Sequence, residues 1–190
     1  MDFEKVVYKR RTIRRFSQEP ISLDILKKLI DYARLAPMGS NKQSLSFIIV
    51  KESEIVQKVF PLVRWAASLP IKERTPEKDR RPTAYILVLQ DKTIKEHADF
   101  DVGAAVENIL LGAVNHGLGA CWMGSINRKE LKALFHVPDQ FEITHVLSLG
   151  FPDEKSTVEK YVDSFHYWKD KEGKMHVPKK QLDAVIFKIT

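Results

Sequence analysis

The sequence contains a single cysteine, Cys121, in 190 residues. One cysteine excludes an intramolecular disulfide framework and an all-cysteine zinc site, and it points to a reducing compartment, the cytoplasm. In the run ACWM it reads as a small packed hydrophobe rather than a nucleophile. No apolar run approaches the roughly 18–20 residues that cross a bilayer, so no membrane partner is expected. The opening MDFEKVVYKRR carries acids early and lacks an apolar h-region, so a secretory signal is not expected either. The six histidines form neither HExxH nor a close ligand pair, and no metal site is expected. His97, Asp99 and Asp101 alternate, but acids at the positive end of a helix explain them better than a ligand set. A G-x-S-x-G elbow is missing, which argues against a hydrolase built on one. Two glycine patterns fall short of nucleotide motifs. GLGACWMG (117–124) has Trp122 where the dinucleotide fingerprint needs its third glycine, and Gly119–Ser125 lacks the Walker lysine.

What is present is an ordinary globular composition, 44% hydrophobic and 29% charged, at a length suited to one domain spanning 1–190. The net charge of +6 has a focus: KRRTIRR (9–15) carries five cations and no acid. Arginine forks and a threonine hydroxyl at close spacing suit phosphate, at about 1.5–3 kcal/mol per charge-assisted hydrogen bond. A solvated basic helix end, favourable by about 0.3–1 kcal/mol, is the plainer alternative. Nucleic acid is disfavoured, because no aromatics interleave with these arginines.

Pattern and capping signals predict helices over Phe3–Arg11, after Ser22 to Pro37, from Ser53 with a break at Pro61, over Asp101–Leu118, and from Asn127 to Phe135. Strands are expected at Phe47–Val50, Ala84–Leu89, Ala120–Met123 and Ile143–Leu149. The segment 70–82, with three prolines among dense charges, reads as an exposed mobile loop. Beyond Asp153 the chain is too short to build its own core, and its apolar end LDAVIFKI (182–189) should wrap over the domain or a partner chain. Interleaved strands and helices indicate an α/β or α+β domain.

Four segments taken in order, RRTIRRF (10–16), APMGSNKQSLSF (36–47), DVGAAVENILLGAVNHGLGACWMGS (101–125) and HVPKK (176–180), resemble the FMN-dependent nitroreductase family. The resemblance implies an α+β, nitroreductase-like fold: a central mixed β-sheet flanked by helices, with a C-terminal extension crossing to the partner subunit of a homodimer. Two FMN molecules would lie in the dimer interface. By position, Arg10, Arg11 and Thr12 correspond to residues that meet the FMN phosphate and ribityl chain, and Arg14 to a cation at the N1/O2 edge of the ring. Pro37, Met38, Asn41 and Gln43 correspond to a loop reaching the flavin from the other subunit. Met38, Ser44 and Leu45 depart from the family's usual serine and proline-tryptophan. Trp122, Met123, Gly124 and Ser125 correspond to a corner lying along the flavin, where a backbone N–H contacts N5. Lys179 and Lys180 align with basic residues near the phosphate. The implied activity is ping-pong: hydride passes from NADH or NADPH to flavin N5, and then to a small-molecule acceptor such as a nitroaromatic or quinone. No catalytic side chain is assigned, because the flavin carries the chemistry. A non-catalytic FMN-binding protein, a flavin-dependent dehalogenase and a flavin-destroying relative are the alternatives.

Overall fold

In the computed structural model, which describes residues 2–190, helix α1 (Phe3–Lys9) carries Glu4 in its first turn and Lys9 in its last, both favourable to the helix dipole. It runs directly into the basic segment. Helix α2 (Leu23–Arg34) starts where the Ser22 hydroxyl accepts the Ile25 N–H, and it buries Leu26, Leu29 and Ala33. A 3-10 turn (Gly39–Asn41) leads to β1 (Leu45–Val50). Helix α3 (Ser53–Val59) tightens into a 3-10 turn at Phe60–Leu62, where Pro61 has no N–H to donate. Then follow α4 (Ile71–Arg74), β2 (Ala84–Asp91), α5 (Asp99–Asn115), β3 (Gly119–Met123) and α6 (Arg128–Leu134). The side chain of Asn127 caps α6 by accepting the Glu130 N–H. The chain closes with β4 (Phe141–Gly150), β5 (Ser156–Lys160), β6 (Trp168–Lys169) and β7 (Met175–Lys179).

Four strands form the central sheet in the order β1-β2-β4-β3, with every neighbouring pair antiparallel. Its parallel component is one bridge at the edge, where Thr12 pairs with Ala120. Both faces of the sheet are covered. Ala84, Ile86 and Val88 meet α2 and α5 on one side. Tyr85, Leu87 and Leu89 meet Val56, Phe60, Trp65 and Leu131 on the other. All eight residues of β2 are therefore buried, which explains why Ala84–Leu89 is a continuous apolar run rather than an alternation. Helix α5 buries nine of its residues, as expected for the central helix. It begins at Asp99 and ends at Asn115, shorter at its C-terminus than its apolar pattern suggests. Gly117, at φ +76°, turns the chain into β3.

Two expectations need correction. Segment 70–82 is not a free loop: α4 and a 3-10 turn at Lys78–Arg80 give it shape, and buried Arg15 holds Glu77 at 2.8 Å. Arg80 pairs with Asp153 at 2.6 Å on the same side. Part of the charge there is specifically paired rather than merely solvated. Residues beyond Asp153 also do more than wrap. They form a second sheet, β5-β7-β6, parallel between β5 and β7 and antiparallel between β7 and β6. Met175, 1% exposed, plugs this sheet into the core beneath β2 and β4.

The second sheet is clasped by His176. Its Nδ1 lies 3.1 Å from Glu159 and its Nε2 2.9 Å from Asp170, while Trp168 stacks on the ring at 4.2 Å. The hydrogen bond that His176 donates to Asp170, helped by the one to Glu159, raises its pKa against the opposing effect of burial. Stability from this clasp is therefore complete below the ordinary histidine value of about 6.5 and is lost as pH rises through the raised one. Hydrogen exchange of the β7 amides should accelerate across that upper step, and His176→Gln should abolish the step. An unchanged step in the variant would exclude the clasp as its cause.

Candidate functional site

The basic segment lies extended along the outer edge of β3. Beyond the Thr12–Ala120 bridge, Ile13 donates its N–H to the Ala120 carbonyl at 2.9 Å. Gly119 makes this approach feasible, since a Cβ there would sit 2.7 Å from the Cβ of Ile13. Ile13, Arg15 and Phe16 turn inward and are buried, while Arg10, Arg11, Thr12 and Arg14 are half-buried along the edge.

The cations are held in different ways. Arg10 faces Glu107 of α5 at 3.5 Å. Arg11 folds back on its own helix end, donating to the carbonyls of Tyr8 and Arg10, and burial followed by the Arg10 charge lowers its pKa. Arg14 donates its backbone N–H to Glu154 at 2.6 Å, and its guanidinium lies over the Tyr167 ring at 4.7 Å. The Arg14 Nε is buried without a hydrogen-bond partner. Glu154 and Tyr167 were not among the residues singled out from the sequence, and neither stands in a motif that would have marked it.

At the far end of β3 the chain turns a corner. Met123 is buried, whereas the Trp122 ring is 40% exposed and meets His145 edge-on at 5.3 Å. Gly124 and Ser125 follow at the surface. The Ser125 carbonyl accepts the Arg64 N–H at 3.0 Å. Burial, then the charge of Arg128, holds the His145 pKa below the usual histidine value, with Asp99 opposing. Cys121, just behind, is buried, and desolvation pushes its thiol up, so it is a poor nucleophile.

Pro37, Met38, Asn41 and Gln43 sit at the opposite edge of the sheet, in the loop leading into β1. The backbone there is costly: Ser40, Asn41 and Gln43 all have positive φ, at 54°, 52° and 47°. Asp101 holds the loop in place. One carboxylate oxygen accepts the Gly39 N–H at 3.0 Å and the other meets Lys95 at 2.6 Å. Burial pushes this carboxyl up, but the Lys95 and Gly39 hydrogen bonds outweigh it and leave the pKa lowered. Ser44, one of the departures from the family pattern, is buried and accepts the Asp91 N–H through its carbonyl.

The fold thus sets Arg10–Arg14 at the β3 edge through the Thr12–Ala120 bridge, the strand that leads into Trp122–Ser125, and places Pro37–Gln43 at the β1 edge, across four strands, roughly 14 Å of sheet. Lys179 and Lys180 lie in and just beyond β7. The Lys179 carbonyl accepts the Tyr161 N–H, and the Lys180 ammonium lies 5.9 Å from the centre of the Phe165 ring. Among the described residues, no ion pair or hydrogen bond joins them to the basic segment. The cavity beside Arg11, Ile13 and Gly119 measures about 160 Å³. That is below the roughly 300–1,000 Å³ of small-molecule sites, so one chain alone does not enclose one there. A cavity of about 1130 Å³ is lined by Arg15 and Glu154 and does not include the Trp122–Ser125 corner.

Residues 7–151 match the Nitroreductase family. A protein of Archaeoglobus fulgidus named for NADH dehydrogenase and NAD(P)H nitroreductase activity is 34% identical, with 82% of this chain and 88% of that protein aligned. The 4-nitrobenzoate reductase of Pseudomonas putida is 28% identical, over 83% of this chain and 88% of its own length. A nitroreductase family protein of Clostridium novyi has a similar structure: TM-score 0.65, 26% identity, 80% of this chain and 87% of that one.

Proposed function

The chain belongs to the nitroreductase family, and from that premise we propose that it is an FMN-dependent oxidoreductase, drawing electrons from NADH or NADPH and passing them to a nitroaromatic or quinone. The observation that supports this reading is the bridge from the basic segment, at Thr12, to Ala120 of β3, the strand that leads into the exposed Trp122 and the Gly124 corner.

The residues present fit FMN. Forked cations and a hydroxyl suit a phosphate, and the buried, unpartnered Arg14 Nε is a donor awaiting an acceptor. Bound FMN would supply the two-electron chemistry that no side chain here can. Arg10, Arg11 and Thr12 would hold the phosphate and ribityl chain. Arg14, steadied by Tyr167, would place a fixed cation at the N1/O2 edge and stabilise negative charge there. The backbone N–H of Gly124 would face N5, and Trp122 would flank the ring. No side chain is assigned as acid or base. Donor and acceptor would use one site in turn.

The reading requires a second copy of the chain. Pro37, Met38, Asn41 and Gln43, held rigidly at the far edge, would complete the site of a partner in a homodimer. Phe3, Tyr8 and Leu35 leave an apolar surface on α1 and at the end of α2, and Val185, Phe187 and Ile189 project from the C-terminal segment. Both suit such an interface, with the C-terminal segment crossing to the partner. Lys179 and Lys180 would approach the phosphate only in that assembly.

The purified protein should be yellow, and its bound flavin should bleach on anaerobic addition of NADH or NADPH and recover with a quinone or nitroaromatic. A colourless protein that acquires no bound flavin spectrum on adding FMN would refute the proposal. Flavin that binds but does not turn over would instead indicate a binding protein, and a halide product from a haloaromatic would indicate a dehalogenase.

A further inference from the structure

The glycine corner at the end of β3 is braced from the neighbouring strand by a device that no motif announces. The pairing of β2 with β4 slips between Val88 and Leu89: Val88 faces His145 but Leu89 faces Ile143, so Thr144 is an extra residue. This is a β-bulge, which bends a strand and re-aims its side chains. Because of it, Ile143 and Val146 both point into the core beneath the sheet, and His145 is turned out beside Trp122. Arg128, at the start of α6, serves the bulge and the corner together. Its Nε donates to the Ile143 carbonyl at 3.0 Å, and its Nη2 reaches the Thr144 carbonyl at 2.9 Å and the Gly124 carbonyl at 3.3 Å. His145 closes the remaining space: a Cβ on Gly124 would lie 3.3 Å from its Cδ2 and Nε2.

We propose that Arg128, with the His145 ring as its backstop, is a positioning residue that sets the orientation of the Gly124 peptide toward the cofactor. The inference rests on the FMN reading above. The Gly124 carbonyl belongs to the peptide that follows Gly124, so the guanidinium controls the rotation of this glycine, whose flexibility would otherwise let the corner turn. A planar fork reaching carbonyls of β4 and of the corner beyond β3 has no lysine equivalent, since an ammonium is a single point donor on a flexible stem. Burial and then the Arg128 cation disfavour protonation of His145, with Asp99 of α5 the opposing charge.

On the FMN reading the Gly124 N–H would donate to N5 of the oxidised flavin, so a loosened corner would weaken binding of oxidised FMN more than of reduced FMN. Arg128→Ala should raise the dissociation constant for oxidised FMN about tenfold relative to reduced, which corresponds to a rise of about 30 mV in the midpoint potential of bound FMN. Arg128→Lys should behave like the alanine variant, and it keeps charge and stem should alanine compromise folding. His145→Ala should move the potential in the same direction, while His145→Phe, which preserves the ring against Trp122 and Gly124, should restore it. The readouts are flavin fluorescence titration and spectroelectrochemistry on the purified full chain. Unchanged affinity and potential in Arg128→Ala, or full retention in Arg128→Lys, would overturn the proposal while leaving the FMN reading intact. A wild-type chain that binds no FMN would overturn both.

Discussion

Gly119→Ala is expected to lose about 1–3 kcal/mol of stability, the usual cost of forcing a carbon into a packed site, and to release flavin with it. The new methyl would lie 2.7, 2.8 and 2.9 Å from the Cβ, Cγ2 and Cγ1 of Ile13. Ile13 cannot avoid it by changing rotamer, because the nearest clash is with its Cβ, which moves only with the backbone. The whole extended segment must therefore lift from β3, taking Arg10, Thr12 and Arg14 with it. Urea unfolding should show a lower midpoint, and flavin titration a dissociation constant raised by about tenfold or more, since small misplacements of positioned groups are costly. Gly103→Ala is the control. Nothing lies within 4 Å of a Cβ there, so alanine in mid-helix should be neutral or stabilising by about 0.5–1 kcal/mol. Equal behaviour of the two variants would show that the Ile13–Gly119 approach does not hold the segment.

The second large effect concerns the division of the site between copies. Arg14→Ala removes the ring-edge cation, and the double variant Asn41→Ala, Gln43→Ala damages the loop at two positive-φ positions where alanine is strained. Each homodimer should lose most of its flavin. A heterodimer of the two, purified through separate tags, should recover about one FMN per dimer, because closed two-fold symmetry puts both defects in one site and leaves the other intact. A heterodimer as empty as its parents would mean that each chain carries its own site. A folded, flavin-loaded monomer in sedimentation would mean the same.

Much of the architecture was legible because it depends on local rules. Ser22 and Asn127 cap helices through contacts within three residues, and Pro61, with no N–H to donate, ends the α-helical part of its segment. The apolar runs of β2 and α5 announce burial on both faces. The four segments carrying the family resemblance were legible for the same reason, as contiguous strings. Segment 70–82 was misjudged because its order comes from Arg15 and Asp153, each tens of residues away. The tail was underestimated because its sheet depends on a parallel pairing and a histidine clasp that have no short-range signature. Gly119 was noticed, but as part of a failed nucleotide motif. Its actual role follows from a neighbour, Ile13, more than a hundred positions distant.

By itself, then, the sequence determined the element types, the basic segment, the exclusion of an intramolecular disulfide, and the order of motifs that identifies the family. Those are properties of residue type and spacing, and they hold in any conformation of neighbouring chain. The tertiary structure decided which edge of the sheet each motif occupies, and thus that the two halves of the candidate site stand about three strand spacings apart in one chain. It also decided that Arg128 and His145 brace the glycine corner. Strand order and a one-residue bulge set these relations, and both arise from long-range pairing that no local pattern encodes.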